Sequence, residues 1–266
     1  MEEELHLLAD DRRARFDAVA VAYDRHRPRY PEAMFDMLAE RAGLGPGSRV
    51  VEVGSGPGIA TEGLVRRGAS VVCIEPGASL AALAAAKFAD HPRVEVVVSR
   101  FEDWDGPAAS ADLVLAATSW HWVEPTAGWA KAAEVLAPGG SLALVWTVLV
   151  GYDPPWLGRR LAQLAAGIHP SALGSAEIDF GQWGARMEDS GLFGPVATWR
   201  IPFERTLDAE SFAATQSTYG SVLALAPEER DALTEATRAL VEDECGGRAC
   251  KREEALVFLA PRRPGR

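Results

Sequence analysis

Cysteine is scarce in this chain, with three in 266 residues, too few for the disulfide framework of a secreted scaffold. Cys245 and Cys250 have no neighbouring cysteine or histidine that would complete a zinc site. Free thiols in a reducing cytoplasm are therefore the expectation, with no metal. Long apolar runs are missing too. Leu142 to Val150 comes closest and falls well short of the roughly 18 residues that span a bilayer, so it suits a core strand. The start, Met1-Glu-Glu-Glu-Leu-His, lacks the basic and then apolar plan of a signal peptide. Basic charge is in deficit, 27 Lys and Arg against 38 Asp and Glu for a net charge of −11. Such a balance gives no general attraction to nucleic acid or anionic membrane and favours a small-molecule partner. Internal repeats and low-complexity tracts are absent as well.

What remains is ordinary for a globular protein, 48% hydrophobic and 24% charged. The length suits one large α/β domain with a substantial core. Pro31 opens a helical pattern that closes near Gly43. Strands follow at Arg49 to Val53, Ser70 to Glu75, Val94 to Val98 and Ala111 to Ala117, with helices at Ile59 to Arg67 and Ala78 to about Ala89 between them. A helix from Thr126 to Leu136 leads through Pro138-Gly139-Gly140 into a fifth strand, Ser141 to Val148. This alternation predicts βαβ units and a mainly parallel sheet. After Gly151 the rhythm changes. Two short helices are expected in 156–191, a strand at Val196 to Phe203, helices near 208–218 and 227–244, and a last strand at Lys251 to Ala260.

The stretch Val50-Val-Glu-Val-Gly-Ser-Gly-Pro-Gly58 carries most of the chemistry. An apolar strand ends in Gly54, Gly56 and Gly58, which lets the backbone turn sharply and approach a ligand with no Cβ between. Glu75 ends the second strand, 21 residues after Gly54. A carboxylate there can accept hydrogen bonds from both hydroxyls of a ribose. Dinucleotide sites share that chemistry but favour G-x-G-x-x-G, and the residue three past Gly56 is Ile59.

Further markers stand in order. Glu102 follows the third strand, Leu136-Ala-Pro-Gly-Gly140 precedes the fifth, Phe16-Asp and Tyr23-Asp-Arg-His-Arg-Pro-Arg-Tyr-Pro31 lie near the start, and Trp120-His121-Trp122 follows the fourth strand. With Glu52-Val-Gly-Ser-Gly-Pro-Gly58 they make the chain similar to class I S-adenosylmethionine-dependent methyltransferases. Within these it resembles the methyltransferase type 11 family and its trans-aconitate methyltransferase-like subgroup. The resemblance implies an α/β fold: a Rossmann-like three-layer sandwich, seven strands mostly parallel, the last antiparallel, with a helical cap. It implies one domain over 1–260, with lid helices in 1–43, a cofactor core in 44–150, cap insertions at 151–195 and 206–245, and a frayed tail at 261–266.

The resemblance also assigns roles. Gly54, Ser55, Gly56, Gly58, Glu75 and Pro76 would cradle S-adenosylmethionine and hold its ribose, and Glu52 would sit beneath its amino group. Arg100, Phe101 and Glu102 would read the adenine, with Ala117 and Thr118 bordering the cofactor. Tyr23 and Arg27 would close a lid, Arg27 being held extended by Pro28. Trp120, His121, Trp122, Trp146 and Tyr219 would line the substrate. An unperturbed imidazole titrates near neutrality, and His121 is a candidate base for a hydroxyl or amine acceptor, or else a pocket wall. Methyl transfer to a small molecule by in-line displacement is the expected activity, on oxygen, nitrogen or a carboxylate, leaving S-adenosylhomocysteine. A nicotinamide-dependent oxidoreductase and a non-catalytic S-adenosylmethionine-binding protein are the alternatives.

Overall fold

Valines at 50, 51 and 53 bury β1 (Arg49–Val53) on both faces, as a central strand of a parallel sheet requires. The computed structural model of the chain describes residues 14–169 and 180–264. Its seven strands form one sheet in the order β3-β2-β1-β4-β5-β7-β6. The sheet is mostly parallel with one antiparallel strand, the Rossmann-like arrangement that the resemblance implied. β2 (Ser70–Glu75) pairs with β1 in register, Glu52 opposite Cys73, and β4 (Ala111–Ala117) flanks β1 on its other side, Val114 opposite Val51. The chain order reverses between β1 and β4, and the carboxyl ends of strands at such a reversal are where open α/β sheets bind ligands.

Two compact units emerge from the contact pattern. One comprises Arg29–Thr147, Phe180–Ile201 and Ala255–Arg266; the other comprises Met1–Pro28, Val148–Asp179 and Pro202–Glu254. In the first, α2 (Glu32–Ala42), α3 (Ile59–Arg66), α4 (Ala78–Lys87) and α5 (Pro125–Val135) cover β1 to β4 and β3 (Val94–Val98). Proline at the first position of α5 and the Glu124 carboxylate, which accepts from the amides of Thr126 and Ala127, explain its start. Helix α7 (Gln182–Asp189) also belongs here. The second unit holds α1 (Ala20–His26), α6 (Leu157–Ile168), α8 (Ala209–Ser217), α9 (Gly220–Leu223) and α10 (Pro227–Glu244). Leu157, Leu161, Phe212, Leu240 and Val241 form its core, each large side chain contributing about 1.5–3 kcal/mol on burial.

The early elements stand where the sequence placed them, within a residue or two. The later strands run longer. β5 spans Leu136–Asp153 because Leu136 already pairs with Ala111, and a register shift beside Ala111 and Leu113 absorbs Pro138-Gly139-Gly140. β6 (Ala197–Asp208) and β7 (Arg248–Pro261) likewise exceed their expected bounds. The tail is held further than expected: Arg262 donates its amide to Gly140 and its guanidinium to the Leu136 carbonyl, and the Arg263 amide donates to Leu192. No helix among the described residues is long and apolar enough to cross a membrane.

Candidate active site

All three glycines of the turn after β1 have left-handed backbones, at φ of +63°, +56° and +82°. They serve different ends. A Cβ on Gly54 would lie 2.5 Å from the Cβ of Ser119, and one on Gly58 would lie 2.4 Å from the ring of Phe88, so both are needed for packing. A Cβ on Gly56 meets nothing within 4 Å. Of the three, only that glycine faces open space. The turn is pre-organised from below. The Glu75 carboxylate accepts from the amides of Gly56 and Gly77, each at 2.8 Å, and the Ile74 carbonyl accepts from Gly54 and Ser55. Pro76 lies exposed beside Glu75.

Glu52 lies directly under the turn and is buried. Thr61 on α3 donates to its carboxyl at 2.6 Å and sits 3.5 Å from the Cys73 sulfur. Burial pushes the Glu52 carboxyl up to about 8 against the opposing hydrogen bond from Thr61, so it carries a proton at neutral pH. Burial also raises the Cys73 thiol. The acid that sequence expected beneath an amino group thus has a partner that sequence reasoning missed. Thr61 follows it by nine residues, a spacing with no motif behind it.

At the end of β4, Thr118 adopts φ +61°, an unusual conformation for a β-branched residue. Its amide donates to Val145, and its hydroxyl shares a 2.8 Å hydrogen bond with Tyr30, a second residue the sequence did not single out. Ser119 then donates to the Val53 carbonyl, tying this segment to the glycine turn. Trp120-His121-Trp122 form one 3-10 turn. Trp120, expected to line the substrate, is instead 1% exposed and packed against Trp129 and Phe101, so it braces the turn from behind. His121 and Trp122 are half-buried with rings 4.7 Å apart. Trp146 stacks on Trp183 at 5.6 Å and donates its indole N–H to Nδ1 of His121 at 3.5 Å. Arg100, at 3.5 Å, and the Glu124 amide, at 2.6 Å, both bind the Glu102 carboxylate, while Phe101 is buried. The expected adenine-reading side chains are therefore already engaged within the protein.

Tyr23, Arg27 and Tyr219 belong to the other unit, where the structure brings them together. The Arg27 guanidinium lies 4.8 Å from the centre of the Tyr23 ring and 5.1 Å from that of Tyr219. Lys251, fully buried, donates to the Tyr219 hydroxyl at 2.9 Å and to Gln216 at 3.3 Å. This lysine was read only as the first residue of a strand. Among the described residues no cluster of three or more His, Cys, Asp or Glu could hold a metal.

An open glycine turn backed by an acid at the end of β2 is set here on a Rossmann-like sheet. Residues 51–144 match the family model described as a methyltransferase domain. The uncharacterized methyltransferase Rv3342 of Mycobacterium tuberculosis is 36% identical over 131 residues, 49% of this chain and 51% of that protein. Trans-aconitate 2-methyltransferase of the same species is 31% identical over 129 residues, 47% of this chain and 46% of that one. The matched stretch thus spans about half the length of these curated relatives. A solved structure from Anaeromyxobacter dehalogenans, provisionally named a type II methyltransferase, superposes over 89% of this chain and 97% of its own with a TM-score of 0.63 and 25% identity. Over residues 51–144 the chain thus matches a methyltransferase domain, and it resembles the type 11 family of class I S-adenosylmethionine-dependent methyltransferases.

Proposed function

We propose that this protein transfers a methyl group from S-adenosylmethionine to a small-molecule acceptor. The carrying observation is the turn at Gly54–Gly58, open only at Gly56 and anchored by the Glu75 carboxylate. The residues present suit the group. Gly56 leaves the space that any side chain would fill, and the Glu75 carboxylate stands beside it at the end of β2, the position suited to a ribose. Thr118, Ala117 and the Trp120–Trp122 turn follow the neighbouring strand, where the acceptor would meet the methyl group.

The cofactor, when bound, supplies an electrophilic methyl already activated by positive sulfur. The chain's own residues have less to do. They fix the nucleophile in line with that carbon, at about 3–3.5 Å, and keep competing water away. Half-buried Trp122 gives the region an apolar surface suited to that exclusion, with the buried Trp146–Trp183 stack behind His121. Trans-aconitate methyltransferase, among the relatives, makes an organic acid one acceptor to include in any screen.

Titration calorimetry with S-adenosylhomocysteine, and with a nicotinamide dinucleotide as the competing ligand, tests the reading. The first is expected to bind and the second not. Glu75→Ala should weaken binding by roughly two orders of magnitude, since it removes two charge-assisted hydrogen bonds worth about 1.5–3 kcal/mol each and loosens the turn. Binding of the dinucleotide alone would overturn the assignment.

A further inference from the structure

Thr118 carries a cost that its backbone alone does not require. Glycine or asparagine adopts a φ of +61° readily, whereas a β-branched residue there is strained and persists only where its surroundings over-determine it. The surroundings do so here. The Thr118 amide donates to the Val145 carbonyl at 2.7 Å, and its hydroxyl shares the 2.8 Å bond with Tyr30. Ser119, next in the chain, donates to the Val53 carbonyl, and its Cβ fills the space that a side chain at Gly54 would need. Any residue at this position could keep the amide bond, and Ser119 makes its own contacts. Only the bond to Tyr30 uses the threonine hydroxyl, and its partner comes from 88 positions away. Strain kept in this way at the edge of a ligand crevice implies a side chain that is used.

Its position says for what. Thr118 follows β4 directly, half-buried, at the reversal of strand order beside the glycine turn. Glu75, the proposed ribose partner, ends β2 on the far side of β1, two strand spacings or about 10 Å across the sheet. The methyl donor and its product share that ribose and differ at the sulfur on its 5′ carbon. The donor has a positively charged sulfonium there, and the product a neutral thioether. A cation leaving water needs oxygen atoms to replace its hydration, and a hydroxyl offers it only the oxygen side. In the Tyr30–Thr118 pair either hydroxyl can donate. When Thr118 donates to the phenol oxygen, its own oxygen keeps both lone pairs for a cation and its hydrogen is held away. On the methyl-transfer reading above, we propose that the Thr118 hydroxyl, oriented by Tyr30 as a positioning residue, senses the sulfonium: it favours the charged methyl donor over the neutral product. The same preference helps the spent cofactor leave.

The discrimination is measurable without turnover and without knowing the acceptor. Titration calorimetry on the full chain compares S-adenosylmethionine, S-adenosylhomocysteine and sinefungin, an analogue with an ammonium near the place of the sulfonium. Tyr30→Phe keeps the ring and loses the hydroxyl. It should weaken the two ligands charged at that place at least about fivefold, and the product by less than about twofold. Thr118→Ala should do the same, and Thr118→Ser, which restores a hydroxyl, should return the ratio to that of the unaltered protein. A merely structural role would move all three ligands together, so the product reports whether the cradle is intact. Equal weakening of all three in Tyr30→Phe, or no weakening of the charged pair, overturns the proposal. So does a Thr118→Ser protein that behaves like Thr118→Ala. Should Thr118→Ala fail to fold, Tyr30→Phe still decides. Failure of the methyl-transfer reading appears separately, as no binding of S-adenosylhomocysteine to the unaltered protein.

Discussion

At Gly54 and Gly56 one substitution has two different costs. Alanine at Gly54 must force its Cβ to within 2.5 Å of Ser119 at φ +63°, which moves backbone on the neighbouring strand end. A loss of about 3 kcal/mol or more is expected in urea unfolding. Alanine at Gly56 has room and bears only the left-handed strain, about 1–2 kcal/mol. It should nonetheless weaken S-adenosylhomocysteine by at least about tenfold, because the new methyl stands where the ligand must come close. Unchanged affinity in Gly56→Ala would mean that the turn is not the cradle. Glu52 gives the second prediction at this scale. Its carboxyl is raised to about 8 by burial, so the native chain keeps a proton that the unfolded chain releases near pH 4.5. The stability this group contributes is whole below about pH 4.5 and is lost as pH rises to about 8. Glu52→Gln has no such loss. Its stability relative to the unaltered protein should therefore grow across that window by a few kcal/mol and then level, as read by urea midpoints at pH 5, 6.5 and 8.5. The importance of Glu52 was legible from a carboxyl inside an apolar strand. The importance of Tyr30 was not, because its hydrogen bond reaches Thr118 across 88 positions and depends on how two loops meet.

Among the elements, β1 to β4 were readable to the residue because each is a short apolar run bounded by glycine, proline or charge. β7 was expected at Lys251 to Ala260 and begins three residues earlier, and the burial of its charged residues was not foreseen, for a physical reason. Ala255 to Ala260 are all buried and apolar, whereas Lys251 and Glu253 are equally buried and charged, and hydropathy treats such residues as surface. Their burial is possible because partners satisfy them: Lys251 through Tyr219 and Gln216, Glu253 through a two-pronged pair with Arg205 at 2.7 and 3.0 Å. β6, which supplies Arg205, alternates between exposed and half-buried residues and gives little apolar contrast at all. The pair makes a prediction about how β6 and β7 hold together. Arg205→Met leaves the Glu253 carboxylate buried alone and should cost about 3–5 kcal/mol. Arg205→Met with Glu253→Leu removes both charges and should recover most of that, since a buried pair contributes little net stability over a well-packed apolar one. A double variant as unstable as the single one would show that the pair does more than neutralise itself.

For the whole molecule, the charge balance and the seven-stranded, mostly parallel sheet were both accessible from sequence, the first by counting and the second by resemblance. The division into two compact units was not, since the chain passes between them several times and no linker marks the boundary. β5, β6 and β7 each contribute residues to both units. A strand that melts over part of its length exposes unpaired amides and carbonyls along the rest, so shared strands favour melting of both units together. One calorimetric transition is expected. The residues proposed to hold the ligand, from Glu52 to Thr118, all lie in a single unit, yet S-adenosylhomocysteine should move that one transition as a whole. At about 100 times its dissociation constant, a ligand adds roughly 2.7 kcal/mol. For a chain of 266 residues with about 2.1 cal/mol/K of unfolding entropy per residue, this is a rise in Tm of about 5 °C. Two resolved transitions, with only one raised by the ligand, would show that the shared strands do not couple the units, and that the domain carrying the glycine turn folds on its own account.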